Sequence, residues 1–126
     1  MASSVTTDSV AKTQHIKKIT CTWLSHTDGV VTAAAVDTVI NGTLIAACFR
    51  PHATAATNGH IVTLTNEDGA TLFTQTVTTT ATTYFNNTVG TDGTGYSGGK
   101  PVFSTIKIGV TGAGSGKKGY VDLYYV

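Results

Sequence analysis

Thr43-Leu44-Ile45-Ala46-Ala47-Cys48-Phe49-Arg50 is the stretch on which the fold turns. Leu44, Ala46 and Cys48 alternate with Ile45, Ala47 and Phe49, so both faces of an extended segment are apolar and both need cover. Such a strand belongs in the middle of a layered β protein and not at its rim. Asn41-Gly42 introduces it with a turn signal, and Pro51 ends it because proline has no amide hydrogen for a further ladder bond.

The flanking sequence has the same character. Upstream, Ile19, Cys21 and Trp23 alternate with Thr20 and Thr22, the period of a strand with one buried face, and Trp23, the lone tryptophan, is expected to anchor the core. Thr27-Asp28-Gly29 is a turn, and Val30 to Val36 reads as a short strand or an irregular crossing. Downstream, His60 to Thr65 and Ala70 to Thr76 enclose Asn66-Glu67-Asp68-Gly69, the clearest hairpin signal in the chain. Thr78 to Phe85 reads as a threonine-rich strand and residues 86–100 as a long loop. From Val102 through Ser104, Ile106, Ile108 and Val110 the alternation is strict and predicts one continuous strand. Gly112 to Gly116 then turns the chain into a last strand whose inner row is Val121, Leu123 and Tyr125.

Seven or eight strands and no amphipathic helix of useful length predict an all-β, single-domain antiparallel β-sandwich, either jelly-roll or immunoglobulin-like. The chain has 126 residues, close to the commonest domain size and enough for a core that needs no staples. Residues 1–14 are polar and unpatterned, which predicts a flexible N-terminal arm preceding a sandwich domain over 15–126. Charged residues make up 12% of the chain against 40% hydrophobic, so neutral hydroxyls carry the polarity. Eight Lys and Arg against seven acids leave a net charge of +1, no footprint for a general nucleic-acid binder. No apolar run approaches the ~20 residues of a membrane span, and residues 1–18 lack the apolar region of a secretory signal, so no membrane partner is expected.

Candidate chemistry is sparse. Gly112 to Lys118 has Thr111 where a phosphate-binding loop has its first glycine, and Lys118 follows Lys117 where a hydroxyl should ligate magnesium. A hairpin loop is the better reading. His15, His26, His52 and His60 stand at none of the local zinc spacings, although His52 and His60 flank one loop. Cys21 and Cys48 lack Cys-x-x-Cys spacing and read as small core residues, with one bridge between adjacent strands left open. Asp28, Asp68 and Asp92 precede glycines in turns, and no carboxylate pair is visible for acid and base work. No catalytic residue, cofactor or metal is therefore expected. Lys17-Lys18 reads as a solvated strand end or a contact for a phosphate or a partner. Tyr96, in the glycine-rich loop, is a candidate contact residue for a protein or, alternatively, a sugar.

The succession Ile61-Val62-Thr63-Leu64-Thr65-Asn66-Glu67-Asp68-Gly69, then Ile106 to Val110, then Gly112-Ala113-Gly114-Ser115-Gly116-Lys117-Lys118-Gly119-Tyr120-Val121-Asp122-Leu123-Tyr124 resembles small all-β structural proteins of tailed bacteriophages. That group repeats a hairpin like VTLTDEDG and an ending like LTLTVSGAG…GTVVLYL; here Asn66 replaces an aspartate and Thr105 to Ile108 is more polar. The likeness spans about residues 16–126. It implies a non-enzymatic virion protein, a cement or decoration protein on the capsid exterior, assembled in the host cytoplasm. Its partner would be the major capsid protein or another virion protein, with a tail, portal-adaptor or fibre component as the near variant. Self-association is expected, a trimer suiting three-fold positions of a shell. Partner contacts are expected at Ser3, Thr6, Thr7 and Val10 of an arm that orders on binding, at Lys17 and Lys18, and at Tyr96. A carbohydrate-binding sandwich is the alternative.

Overall fold

A computed structural model describes residues 3–12, 16–35, 40–57, 59–77, 84–87 and 100–126. The described residues form ten strands and no helix: β1 Ser4–Lys12, β2 Lys17–Leu24, β3 Val31–Ala35, β4 Gly42–Pro51, β5 His60–Thr65, β6 Thr71–Val77, β7 Tyr84–Asn87, β8 Lys100–Val102, β9 Lys107–Thr111 and β10 Lys118–Tyr125. One sheet runs β1-β2-β10-β4-β7, with β8 also on β4, and the other runs β3-β9-β5-β6. Every ladder is antiparallel.

The pairings are nested. β2 pairs β10, β3 pairs β9, β4 pairs β7 and β8, and β5 pairs β6 at the centre. A long antiparallel ribbon folded at the β5–β6 turn and rolled on itself has this order, which is a jelly roll and excludes the immunoglobulin alternative. At the tip of the ribbon, Asn66 Oδ1 accepts the amides of Asp68 and Ala70, and Gly69 supplies the positive φ of 84° that the turn requires.

Between the sheets lies one core. Ile19, Cys21 and Trp23 of β2, Leu44, Ala47 and Phe49 of β4, and Val121, Leu123 and Tyr125 of β10 meet Val31, Val62, Leu64, Leu72, Val77, Ile108 and Val110 from the opposite sheet. A β-bulge changes the expected pattern of β4. Tyr124 faces Ala46 and Tyr125 faces Leu44, so Ile45 is the extra residue, and Leu44 joins Ala47 and Phe49 on the core side. Ala46 and Cys48 are buried on the other face.

Three further expectations change. Residues 4–12 are not a flexible arm but a strand antiparallel to β2, with Val5 opposite Trp23 and packed against the core. Their β-branched hydroxyl residues suit a half-exposed pleat, and β2 offers them an edge to pair. The alternating stretch from Val102 is not continuous: it breaks at Ser104, whose φ of 67° turns the chain out of one sheet as β8 and into the other as β9. For the same reason Gly112 to Gly116 is a crossing between sheets and not a hairpin loop. Residues 78–83 of the expected threonine-rich strand, and residues 88–99, lie outside the described residues.

Gly119 is required by packing. A Cβ there would lie 2.5 Å, 2.6 Å and 2.7 Å from Cζ2, Cε2 and Nε1 of the Trp23 indole, which rests on the β10 backbone. Gly119→Ala is expected to cost about 1–3 kcal/mol of stability in urea denaturation. Cζ2, the nearest of the three, belongs to the six-membered ring of the indole that the smaller phenylalanine side chain lacks, so Trp23→Phe in the same chain should be less harmful than the sum of the two single changes.

Candidate assembly surface

Side chains of β2, β10 and β4 that do not face the core form the outer face of the six-stranded sheet. Register places them in rows: Lys18, Tyr124 and Ala46; Thr20, Asp122 and Cys48; Thr22, Tyr120 and Arg50. Asp122 is the centre of this face. Its side chain is only 2% exposed although it points away from the sandwich core, and Arg50, 35% exposed, closes over it as a fork. Arg50 Nε donates to Asp122 Oδ2 at 2.6 Å and Nη2 to Oδ1 at 2.9 Å. These hydrogen bonds raise the guanidinium pKa by more than burial lowers it.

Aromatic rings extend the face. The Arg50 guanidinium lies 4.7 Å from the Tyr120 ring centre, and the His52 ring lies 5.0 Å from the same centre, tilted by 42°. Thr54 donates its amide to His52 Nδ1, which holds that ring on the loop after β4. Lys18 Nζ stands 5.7 Å over Tyr124 on this face, whereas Lys17 Nζ, 5.6 Å from the Tyr125 ring centre, caps a tyrosine of the core side. Thr22 Oγ1 of β2 donates to Asp8 Oδ2 of β1.

The Cys48 thiol of this face is not activated. Burial, followed by the Asp122 carboxylate, pushes the Cys48 thiol up from its ordinary value, which keeps it protonated near neutral pH. Cys21 and Cys48 are both free; β10 separates their strands, and Cys21 lies in the core while Cys48 lies on the outer face. Among the described residues no three His, Cys, Asp or Glu side chains gather in a way that would hold a metal ion.

Of the expected contact residues, Ser3 Oγ accepts the Thr32 amide at 3.3 Å and so ties the start of β1 to β3. Thr6 is exposed beside Thr22, Thr7 is half-buried opposite Cys21, and Val10 is 39% exposed. The structure thus brings Thr6, Lys18, Tyr120 and Tyr124 together on one face. Tyr96 lies outside the described residues. Arg50 with Asp122 was not legible as a pair, because 72 residues separate them and neither stands in a motif.

The glycine-rich crossing is consumed by the fold. Ser25, fully buried, donates through Oγ to the Gly114 carbonyl at 2.6 Å and accepts the Lys117 amide at 2.9 Å, while the Ala113 amide binds the Gly29 carbonyl. At the same end, a cavity of about 10 Å³ lined by Trp23, Phe49, Ala56, His60 and Val77 is no larger than one water requires. At the opposite end an open recess of about 460 Å³ is lined by Asn41, Gly42, Thr43, Pro101, Val102 and Phe103. Phe103 is 75% exposed there, on a turn fixed by Ser104 N donating to Asn41 Oδ1 at 2.7 Å. No protein-family model matches the chain, and the comparisons with curated proteins and with solved structures yield no match.

Two predictions follow from the buried polar groups. Removing Asp122 leaves a guanidinium that water already reaches, whereas removing Arg50 leaves a carboxylate sealed without its counter-charge. Arg50→Leu should therefore lower stability more than Asp122→Asn, by up to about 3 kcal/mol at neutral pH, as read from paired urea curves. His60, 5.5 Å from Trp23, donates through Nδ1 to the Thr57 carbonyl, and burial holds it below its ordinary value of 6.5 despite that bond. The unfolded chain takes up this proton at a higher pH than the folded one. Stabilisation is thus complete above pH 6.5 and is lost as the pH falls below it. Urea midpoints should drop between about pH 7 and pH 5, and His60→Gln should flatten that slope.

Proposed function

We propose that this chain is a non-enzymatic virion structural protein of the cement or decoration type. In this reading it seats on the major capsid lattice from the capsid exterior and stabilises the phage head by many modest contacts in repeated copies. The observation that carries it is the outer face of the six-stranded sheet, where Tyr120, Tyr124 and Arg50 stand half-exposed on rigid strands, with Arg50 held in place by Asp122. Tyrosine and arginine are the residues that dominate protein interfaces, and side chains already fixed by neighbours lose little freedom on docking. The hydroxyl-rich strand β1 widens that face beyond β2. The sequence likeness to phage structural proteins supplies the class of partner.

The test is association with particles. Virions purified on a density gradient from the source culture should contain the chain at a copy number comparable with the major capsid protein. Tyr124→Ala and Tyr120→Ala should reduce its rebinding to stripped heads by roughly tenfold or more each, since a central anchor contributes on the order of 2 kcal/mol. Particles that lack the chain, or rebinding that ignores both tyrosines, would overturn the proposal.

A further inference from the structure

We propose that Asn41-Gly42 is a site of covalent self-modification, where the Asn41 side-chain amide becomes a carboxylate through attack by the Gly42 backbone nitrogen, and that the bond from Ser104 to Asn41 holds the reaction back. The fold needs both residues where they stand. Asn41 is exposed and has a φ of 42°, left-handed backbone that asparagine tolerates better than most residues. Gly42 opens β4 against the end of the chain. Thr43 and Val126 exchange both backbone hydrogen bonds at 2.9 Å, and a Cβ on Gly42 would overlap the Val126 carbonyl oxygen. Packing therefore excludes a side chain at 42. An amide-bearing residue is thus followed by one whose nitrogen no side chain shields, the setting in which a thermolabile asparagine is least durable.

The steps balance with water as the only co-reactant. The Gly42 nitrogen loses its proton to solvent and bonds to Asn41 Cγ, the Cγ–Nδ2 bond breaks, and Nδ2 leaves as ammonia with a proton taken from solvent. Water then opens the cyclic imide. Breaking its bond to Cγ leaves aspartate on an unchanged backbone; breaking its bond to the main-chain carbon leaves isoaspartate, whose backbone runs through Cβ and Cγ and is longer by an atom. The structure acts on the first step. Asn41 Oδ1 accepts the Ser104 amide at 2.7 Å and the Ser104 carbonyl accepts the Ile40 amide at 2.6 Å, so two bonds clasp this turn to the one between β8 and β9. Gly42 stands opposite Val102 in the β8 ladder. A pinned amide and a nitrogen held in extended chain do not freely reach the geometry of attack. Opening one such bond first slows the folded chain by about tenfold. The two products then differ. Aspartate keeps an acceptor for the Ser104 amide, strengthens it with charge, and makes eight acids against the eight basic residues. Isoaspartate puts an extra atom beside Gly42, where the Val126 carbonyl leaves no room, and so strains the bonds between Thr43 and Val126.

The unmodified full chain decides this, independently of the capsid assignment. One sample is kept folded and one in concentrated urea, in the same mildly alkaline buffer, and peptide mapping by mass spectrometry follows the amide-to-acid change at residue 41. The folded chain should convert Asn41 roughly tenfold more slowly than the chain in urea, but to completion. Asn41→Asp, which builds the direct product, should fold with a urea midpoint no lower than that of the parent. The isoaspartate fraction, separated from aged chain by chromatography, should unfold at a lower midpoint. Equal rates in the two samples would overturn the role of the Ser104 bond, and an Asn41 that persists in the folded chain over many such half-lives would overturn the site itself. An Asn41→Asp chain of reduced stability, or an isoaspartate fraction as stable as the aspartate one, would overturn the account of the products.

Discussion

Pairing of β10 with β2 on one side and β4 on the other is the constraint on which this molecule depends. The last strand of the chain fills the gap between two strands of its first half, so the six-stranded sheet is incomplete until residues 118–125 arrive. Closing such a loop is slow because chain entropy is lost before the contacts that compensate for it are formed. Once formed, the arrangement fixes everything around it. Val121, Leu123 and Tyr125 complete the core, and Asp122, carried on the same strand, completes the polar face opposite.

That polar face is an unusual place for a buried carboxylate. A sheet face turned away from the core is ordinarily wetted, yet Asp122 is almost wholly covered while its partner Arg50 keeps contact with water. Buried ion pairs add little net stability against apolar substitutes, because desolvation offsets the attraction. A bidentate fork does impose geometry: it fixes the Arg50 guanidinium over Tyr120, and through Tyr120 it positions His52. A chain with few charges has thus placed one of its pairs where it orders an aromatic surface. The glycine-rich crossing and His60 are likewise satisfied internally, by Ser25, Gly29 and Thr57, and serve the end of the roll where Trp23 meets Gly119.

Much of this was legible along the chain. Inner rows such as Ile19-Cys21-Trp23 and Val121-Leu123-Tyr125 were readable because strand alternation is local, and the Asn66 to Gly69 turn because its chemistry is complete within four residues. The strand character of residues 4–12 was missed because hydroxyl residues without apolar alternation resemble an unstructured segment until a neighbouring edge pairs them. The break at Ser104 was missed because Val102, Ile106, Ile108 and Val110 keep perfect period while serving two different sheets. Period reports which face a residue takes and not which sheet it joins.

By itself, then, the sequence determined an all-β body, the residues of its inner rows and its central turn, since these follow from side-chain alternation and from the conformations that Asn and Gly adopt. Only the tertiary structure decided that the sandwich is a jelly roll, that a bulge at Ile45 turns Leu44 inward, and that Arg50 reaches Asp122. Those outcomes depend on which strands become neighbours. Ladder hydrogen bonds are made by the backbone and are the same for every sequence, so partner choice is set by the closure of the whole roll.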